Sequence, residues 1–247
     1  MGNARCSQQS VSPQIYARIG GALYLIIIAA GVFAEVFVRD RLIVASDAAV
    51  TAANITGHQM MFRLGIAADL ATFVCAVPLT MILYVLLRPV SNRAALLMVM
   101  LNMVQDAIGG LNALNAYTPL QLLRGANYLK VFRPEQLQAM ALLSLKAHSV
   151  GFGIALIFFG FSCMALGYLI FRCGFLPRVL GGLMAIAGAC YLINSVALIL
   201  SPPLASILFP SILVPAFVGE LSLAVWLTVK GVNTPKPQPT ERGVALA

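Results

Sequence analysis

Residues 153–171 read "GIALIFFGFSCMALGYLIF", 19 residues without a charged side chain. About 18 such residues suffice to carry a helix across the hydrocarbon core of a bilayer. Residues 19–33, "IGGALYLIIIAAGVF", are of the same kind. In lipid, backbone amides find no water, so a spanning chain must satisfy them within its own segment. Repeated runs of this type leave a helical bundle as the outcome. Composition agrees, because 60% of the 247 residues are hydrophobic and 10% are charged. A soluble domain of this length carries about a quarter charged residues. The predicted fold is all-α: a polytopic membrane bundle of six transmembrane helices with short outer-surface helices.

The six spans are expected at about 15–38, 60–87, 94–117, 147–171, 179–200 and 207–229. The domain reading is an N-terminal cytoplasmic segment (1–14), a six-helix transmembrane domain (15–232) and a disordered cytoplasmic tail (233–247) rich in proline. The first run continues past Glu35 to Val38, which weighs against a cleaved signal peptide. Both tight turns, "RPVSNR" (88–93) and "RCGFLPR" (172–178), carry two arginines, whereas the short loop "SPPLASILFP" (201–210) carries none. Short cytoplasmic loops are the basic ones, so both termini are expected inside the inner (plasma) membrane.

The remaining basic residues stand singly at the ends of apolar runs despite a net charge of +8. They read as topological anchors, so the expected partner is the lipid bilayer and not nucleic acid. The five cysteines show no metal-type spacing, and no cofactor is expected. In "SDAAVTAANITG" (46–57), Ser46 or Asp47 would cap a short surface helix that Gly57 stops. Pro134 would open another helix that runs into the fourth span. Gly153, Gly160 and Gly167 recur every seven residues, and Gly181, Ala185, Gly188, Leu192 and Ser195 form one narrow face of span five. Such seams bring helix backbones close together in lipid.

Four acids fall inside spans: Glu35, Asp69, Asp106 and Glu220. Each costs about 2.5–3.5 kcal/mol at a helix centre on insertion scales. His58, Arg63, Lys146 and His148 sit at outer span ends, and Asn112, Asn115, Asn194 and Ser195 lie in outer halves. This one-sidedness suggests a polar site opening outward. Its candidate residues are Arg63, Asp69, Asp106, Glu220, Glu35, Asn112, His58 and His148. Asn102, Gln105, Asp106, Gly109 and Asn112 share a roughly 120° stripe of span three. Six residues turn a helix by about 240°, so Arg63 and Asp69 must each find a partner on another helix. Glu220 is the expected partner of Arg63. Pro210 and Pro215 would free carbonyls of span six beside Glu220.

At "FRLGIAADL" (62–70), "LPRVLGGLMAIAGACYL" (176–192) and "PAFVGELSLAVWLTVKGV" (215–232) the chain resembles a bacterial family of six-span membrane proteins, domain of unknown function 4386. The resemblance runs from about Arg18 to Val232. It implies fold and membrane location and brings no activity. The family pattern has an Arg and a Glu where this chain has Asn102 and Gln105, a departure that reads as a neutralised ion pair.

The leading functional reading is a site for a small ligand or cation, used in binding, sensing or transport. A structural or partner-binding subunit, whose buried charges only order the bundle, is the alternative. An intramembrane metal-dependent hydrolase is a third reading, and the expectation leans away from an enzyme. His58 and His148 lack an H-E-x-x-H spacing, and no G-x-S-x-G occurs.

Overall fold

The computed structural model describes residues 12–232, so the expected tail (233–247) and most of the segment 1–14 lie outside the described residues. Helix α1 (Pro13–Val32) starts with Pro13 in its first turn behind the Ser12 cap. It continues through a π-helical segment (Phe33–Arg39) into the short α2 (Asp40–Leu42). Helix α3 (Ala48–Gly57) follows, capped by the Asp47 carboxylate, which accepts from the Val50 amide at 2.9 Å. Next come α4 (Gln59–Leu87), α5 (Asn92–Leu122), α6 (Pro134–Cys173) and α7 (Arg178–Leu200). The chain closes with α8 (Pro202–Leu208) and α9 (Leu213–Val229).

Five segments have the length and apolarity to cross a membrane: Pro13–Leu42, α4, α5, α6 and α7. Apolar α9 is shorter, at 17 residues. The chain is therefore a multi-pass membrane protein with an all-α fold. Two details differ from expectation. The first span does not end at Val38 but runs to Leu42 through the π turn. The last helix begins at Leu213 and not at 207, which leaves Pro210 before the helix and Pro215 in its first turn. A first-turn proline removes an amide that has no helical partner anyway, so it frees no carbonyl beside Glu220.

The long helices close into a ring. Helix α1 packs on α4 and α9, α4 on α5, α5 on α6, α6 on α7, and α7 on α9. The α6–α7 seam is the one the recurring glycines mark. A Cβ at Gly167 would lie 2.6 Å from the Gly181 carbonyl oxygen, and one at Gly160 2.9 Å from that of Gly188. Backbones this close gain dispersion contacts that lipid cannot match. Gly174, at φ 73°, ends α6 in the left-handed conformation that glycine adopts without strain.

Two apolar clusters fill the bundle. The larger takes Tyr24 from α1, Leu83 from α4, Met98 from α5, Leu166 and Leu169 from α6, Met184 from α7 and Leu223 from α9. It occupies the ring interior toward the end where α1 begins. There the Gln14 side chain donates to the Lys230 carbonyl at 2.8 Å and accepts from the Val232 amide at 2.9 Å. The start of α1 and the end of α9 therefore lie at the same end of the bundle. The smaller cluster, Val38, Leu42, Ile55, Phe62, Leu120 and Leu145, packs the opposite end beneath α3.

Candidate functional site

The acid at position 69 is paired, but with Arg39. Arg39 Nη1 donates to Asp69 Oδ2 at 2.6 Å and Nη2 to Asp69 Oδ1 at 3.3 Å. Its Nε donates to Glu35 Oε2 at 2.6 Å. One guanidinium thus bridges two carboxylates, using the planar fork that makes arginine suited to paired acceptors. The local sequence explains the meeting. Within the π segment the Asp40 amide bonds back to the Glu35 carbonyl, five residues earlier. The widened turn presents Val38 and Arg39 together to α4. Gly65 receives Val38, since a Cβ there would stand 2.8 Å from Val38 Cγ1. Asp69, one turn along the same face of α4, then meets Arg39.

His148 completes this end of the bundle from α6. It is buried, and its Nδ1 lies 3.1 Å from Asn112 Nδ2 and 3.2 Å from the Asn112 carbonyl oxygen. Asn112 Nδ2 donates to the His148 carbonyl at 2.8 Å, and Asn115 Nδ2 donates to Asn112 Oδ1 at 3.0 Å. A Cβ at Gly151 would collide with the Asn112 amide, so that glycine gives the asparagine its place. Between the two networks lies a small cleft lined by Arg39, Asp69 and His148 with Phe62, Gly65 and Leu145. Its volume is 10 Å³, which holds about one water-sized species.

Arg63 and His58 are exposed and do not line this cleft; His58 Nδ1 lies 3.2 Å from the Asn54 carbonyl oxygen. The expected Arg63–Glu220 pair does not form. Glu220 rides on α9, which packs on α1 and α7, while Arg63 sits on an outward face of α4. Glu220 is instead buried and accepts from the Tyr191 hydroxyl. Asp106 is buried midway along α5, and neither of its oxygens has a partner, nor has Ser195 Oγ. One turn away, Asn102 donates to Ser162 Oγ at 2.8 Å, tying α5 to α6.

The structure thus brings Glu35, Asp69, Asn112 and His148 to one end of the ring and leaves Asp106 and Glu220 at two separate positions deeper in it. Arg39 lies one residue past the expected end of span one at 38 and so outside the candidate set. The signal available was Glu35 four residues before Arg39, an acid-then-base spacing that pairs on a helix. Among the described residues, no three or more His, Cys, Asp and Glu side chains gather closely enough to hold a metal ion.

A family profile described as domain of unknown function (DUF4386) matches residues 19–231. The chain belongs to that family. No curated protein and no solved structure matches it.

Proposed function

We propose that this family member crosses the inner membrane six times and holds a water-sized monovalent cation in the cleft at the Arg39–Asp69 pair. In this reading α9 serves as the sixth span, and the adjacency of Gln14 to Lys230 and Val232 supports an even number of crossings. Arg88 and Arg93, and Arg172 and Arg178, stand in the two short turns at that end, while the short stretch 201–210 toward the other end carries no basic residue. Short basic turns of this kind support placing that end in the cytoplasm. Both terminal segments (1–14 and 233–247) are then cytoplasmic, and the cleft faces outward from the domain 15–232.

The observation that carries the reading is the bridge itself. One guanidinium against two carboxylates leaves one negative charge at the mouth of a cleft lined by His148. A small cation neutralises that charge: the single negative charge favours a monovalent ion, and the size of the cleft limits it to one as small as an alkali, ammonium or hydronium ion. Asn112 orients His148.

The second reading, a clamp that only orders α1 against α4, draws on the two-pronged geometry of the Arg39–Asp69 contact. Thermal unfolding of the purified protein separates the two. The salts compared are sodium, potassium and ammonium chloride against N-methylglucamine chloride at equal ionic strength. Stabilisation by one small cation, lost in Asp69→Asn, is the expected result. Equal unfolding temperatures in all four salts would leave the clamp alone standing.

A further inference from the structure

A second cleft opens at the other end of the ring, and its chemistry differs from the first. It lies between the α4–α5 turn and the α6–α7 turn, lined by Pro89, Val90, Tyr168, Arg172, Cys173 and Phe175, with a volume of 440 Å³. That falls within the roughly 300–1,000 Å³ of small-molecule sites. The Arg172 guanidinium lies 5.4 Å from the centre of the Tyr168 ring, which holds the cation over the cleft. Arg178 is set in the same way, 5.5 Å from the Phe171 ring. Arg88 and Arg93 bracket the lining residues Pro89 and Val90 in sequence.

Among the described residues, none of these arginines has an acidic partner. Both ion pairs there belong to Arg39 at the opposite end, toward which Glu35, Asp40, Asp47, Asp69 and Glu135 also lie. Arginines stacked on aromatic rings and free of carboxylates present donor forks suited to phosphate oxygens. The remaining walls, Pro89, Val90 and Phe175, are apolar. The cleft sits where the apolar spans end, which is the depth of lipid headgroups. A ligand carrying one anionic phosphodiester above an apolar tail matches each of these features.

We propose that this cleft is a headgroup site for an anionic phospholipid, with Arg172 as the principal phosphate ligand and Tyr168 holding it in place. Basic pockets between spans are a general means of holding such headgroups. The site is independent of the cation cleft and does not require the orientation argued above.

The test uses the purified full chain in non-ionic detergent. Thermal unfolding is followed with added phosphatidylglycerol, phosphatidylcholine or inorganic phosphate, for wild type, Arg172→Gln and Arg124→Gln, the last an exposed arginine at the opposite end. Phosphatidylglycerol should raise the wild-type unfolding temperature by several degrees, with little shift from phosphatidylcholine or phosphate. Arg172→Gln should lose more than half of that shift, and Arg124→Gln should keep it. Equal shifts with the two lipids, a full shift in Arg172→Gln, or a full shift with inorganic phosphate would each overturn the proposal. Native mass spectrometry of wild type in a mixture of the two lipids gives a readout that needs no variant. Preferential retention of phosphatidylglycerol supports the site, and equal retention refutes it.

Discussion

The Arg39–Asp69 bridge makes a quantitative prediction through a double-mutant cycle. The side chains of Arg39 and Asp69 are 19% and 14% exposed, and the closest approach is 2.6 Å. Breaking a fully buried pair costs about 3–5 kcal/mol, because the surviving charge loses its partner in a medium that solvates it poorly. Exposed pairs contribute about 0–1 kcal/mol. With more than four-fifths of each side chain covered, the buried limit governs. Arg39→Met strands two carboxylates, one of them able to reach solvent, and should cost about 3 kcal/mol. Asp69→Asn should cost about 2 kcal/mol, since Arg39 keeps Glu35 and the new amide still accepts one bond. The double variant should then cost about 3 kcal/mol and not 5, a coupling of about 2 kcal/mol or roughly 30-fold in the folding equilibrium. Glu35→Gln acts on a side chain that is 43% exposed, so it should cost less than about 1 kcal/mol. Unfolding in mixed micelles by a denaturing detergent measures all four. Additivity within about 0.5 kcal/mol would show that the contact has no energetic content. The cation reading would then lose its charge balance.

Three further outcomes are expected. Gly181→Ala places a Cβ 2.7 Å from the Gly167 carbonyl oxygen and should lower the unfolding temperature, while Gly182→Ala, which meets nothing within 4 Å, should leave it unchanged or raise it; equal effects would refute the close seam. Asp106→Asn removes an acid whose oxygens have no partner, so it should stabilise by about 1–2 kcal/mol, and destabilisation would mean that Asp106 holds a species of its own. Single cysteines at Ser91 and Gly174 should escape an impermeant thiol reagent applied to intact cells, and strong labelling would reverse the orientation.

The apolar runs made the spans legible, since a segment that must satisfy its own amides in lipid declares itself by length and hydropathy. Local capping chemistry was equally readable: Asp47 and Gly57 bound α3, and Pro134 opens α6. The glycines of α6 and α7 showed their seam because close backbone approach needs small residues at helical spacing. Helix order around the ring was not readable, because no residue pattern states that α9 returns to α1. That is why Arg63 was matched with Glu220, a residue on a helix that α4 does not pack against. The partner of Glu220 was hidden for a different reason. Tyr191 counts as apolar bulk in a hydropathy reading, yet its hydroxyl is what a buried carboxylate can use. The π turn left no trace in periodicity, and without it Arg39 falls outside the span.

Polarity is divided unevenly along the ring axis, and that division bears on what the protein can do. Toward the Arg39 end stand the charged bridge, His148 and the asparagines of α5. Toward the Gln14 end the interior is closed by Met98, Leu166, Leu169, Met184, Leu223 and Leu227, contributed by α5, α6, α7 and α9 and each no more than 5% exposed. A hydrated ion entering the first cleft therefore meets a layer of close-packed hydrocarbon before the far side. Crossing it would strip the ion of water with no polar group in return, a cost of several kcal/mol or more. Binding or sensing at the cleft needs no change in this packing. Transport needs a second arrangement in which the plug opens. The α6–α7 seam cannot supply that opening by a small shift, since its glycines hold backbone against backbone. The α1–α4 contact is the better hinge, because Gly65 meets the Val38 side chain there and the Arg39–Asp69 bridge spans the joint. A cation that relaxes the bridge would loosen α1 from α4, linking occupancy of the cleft to the fit of the ring.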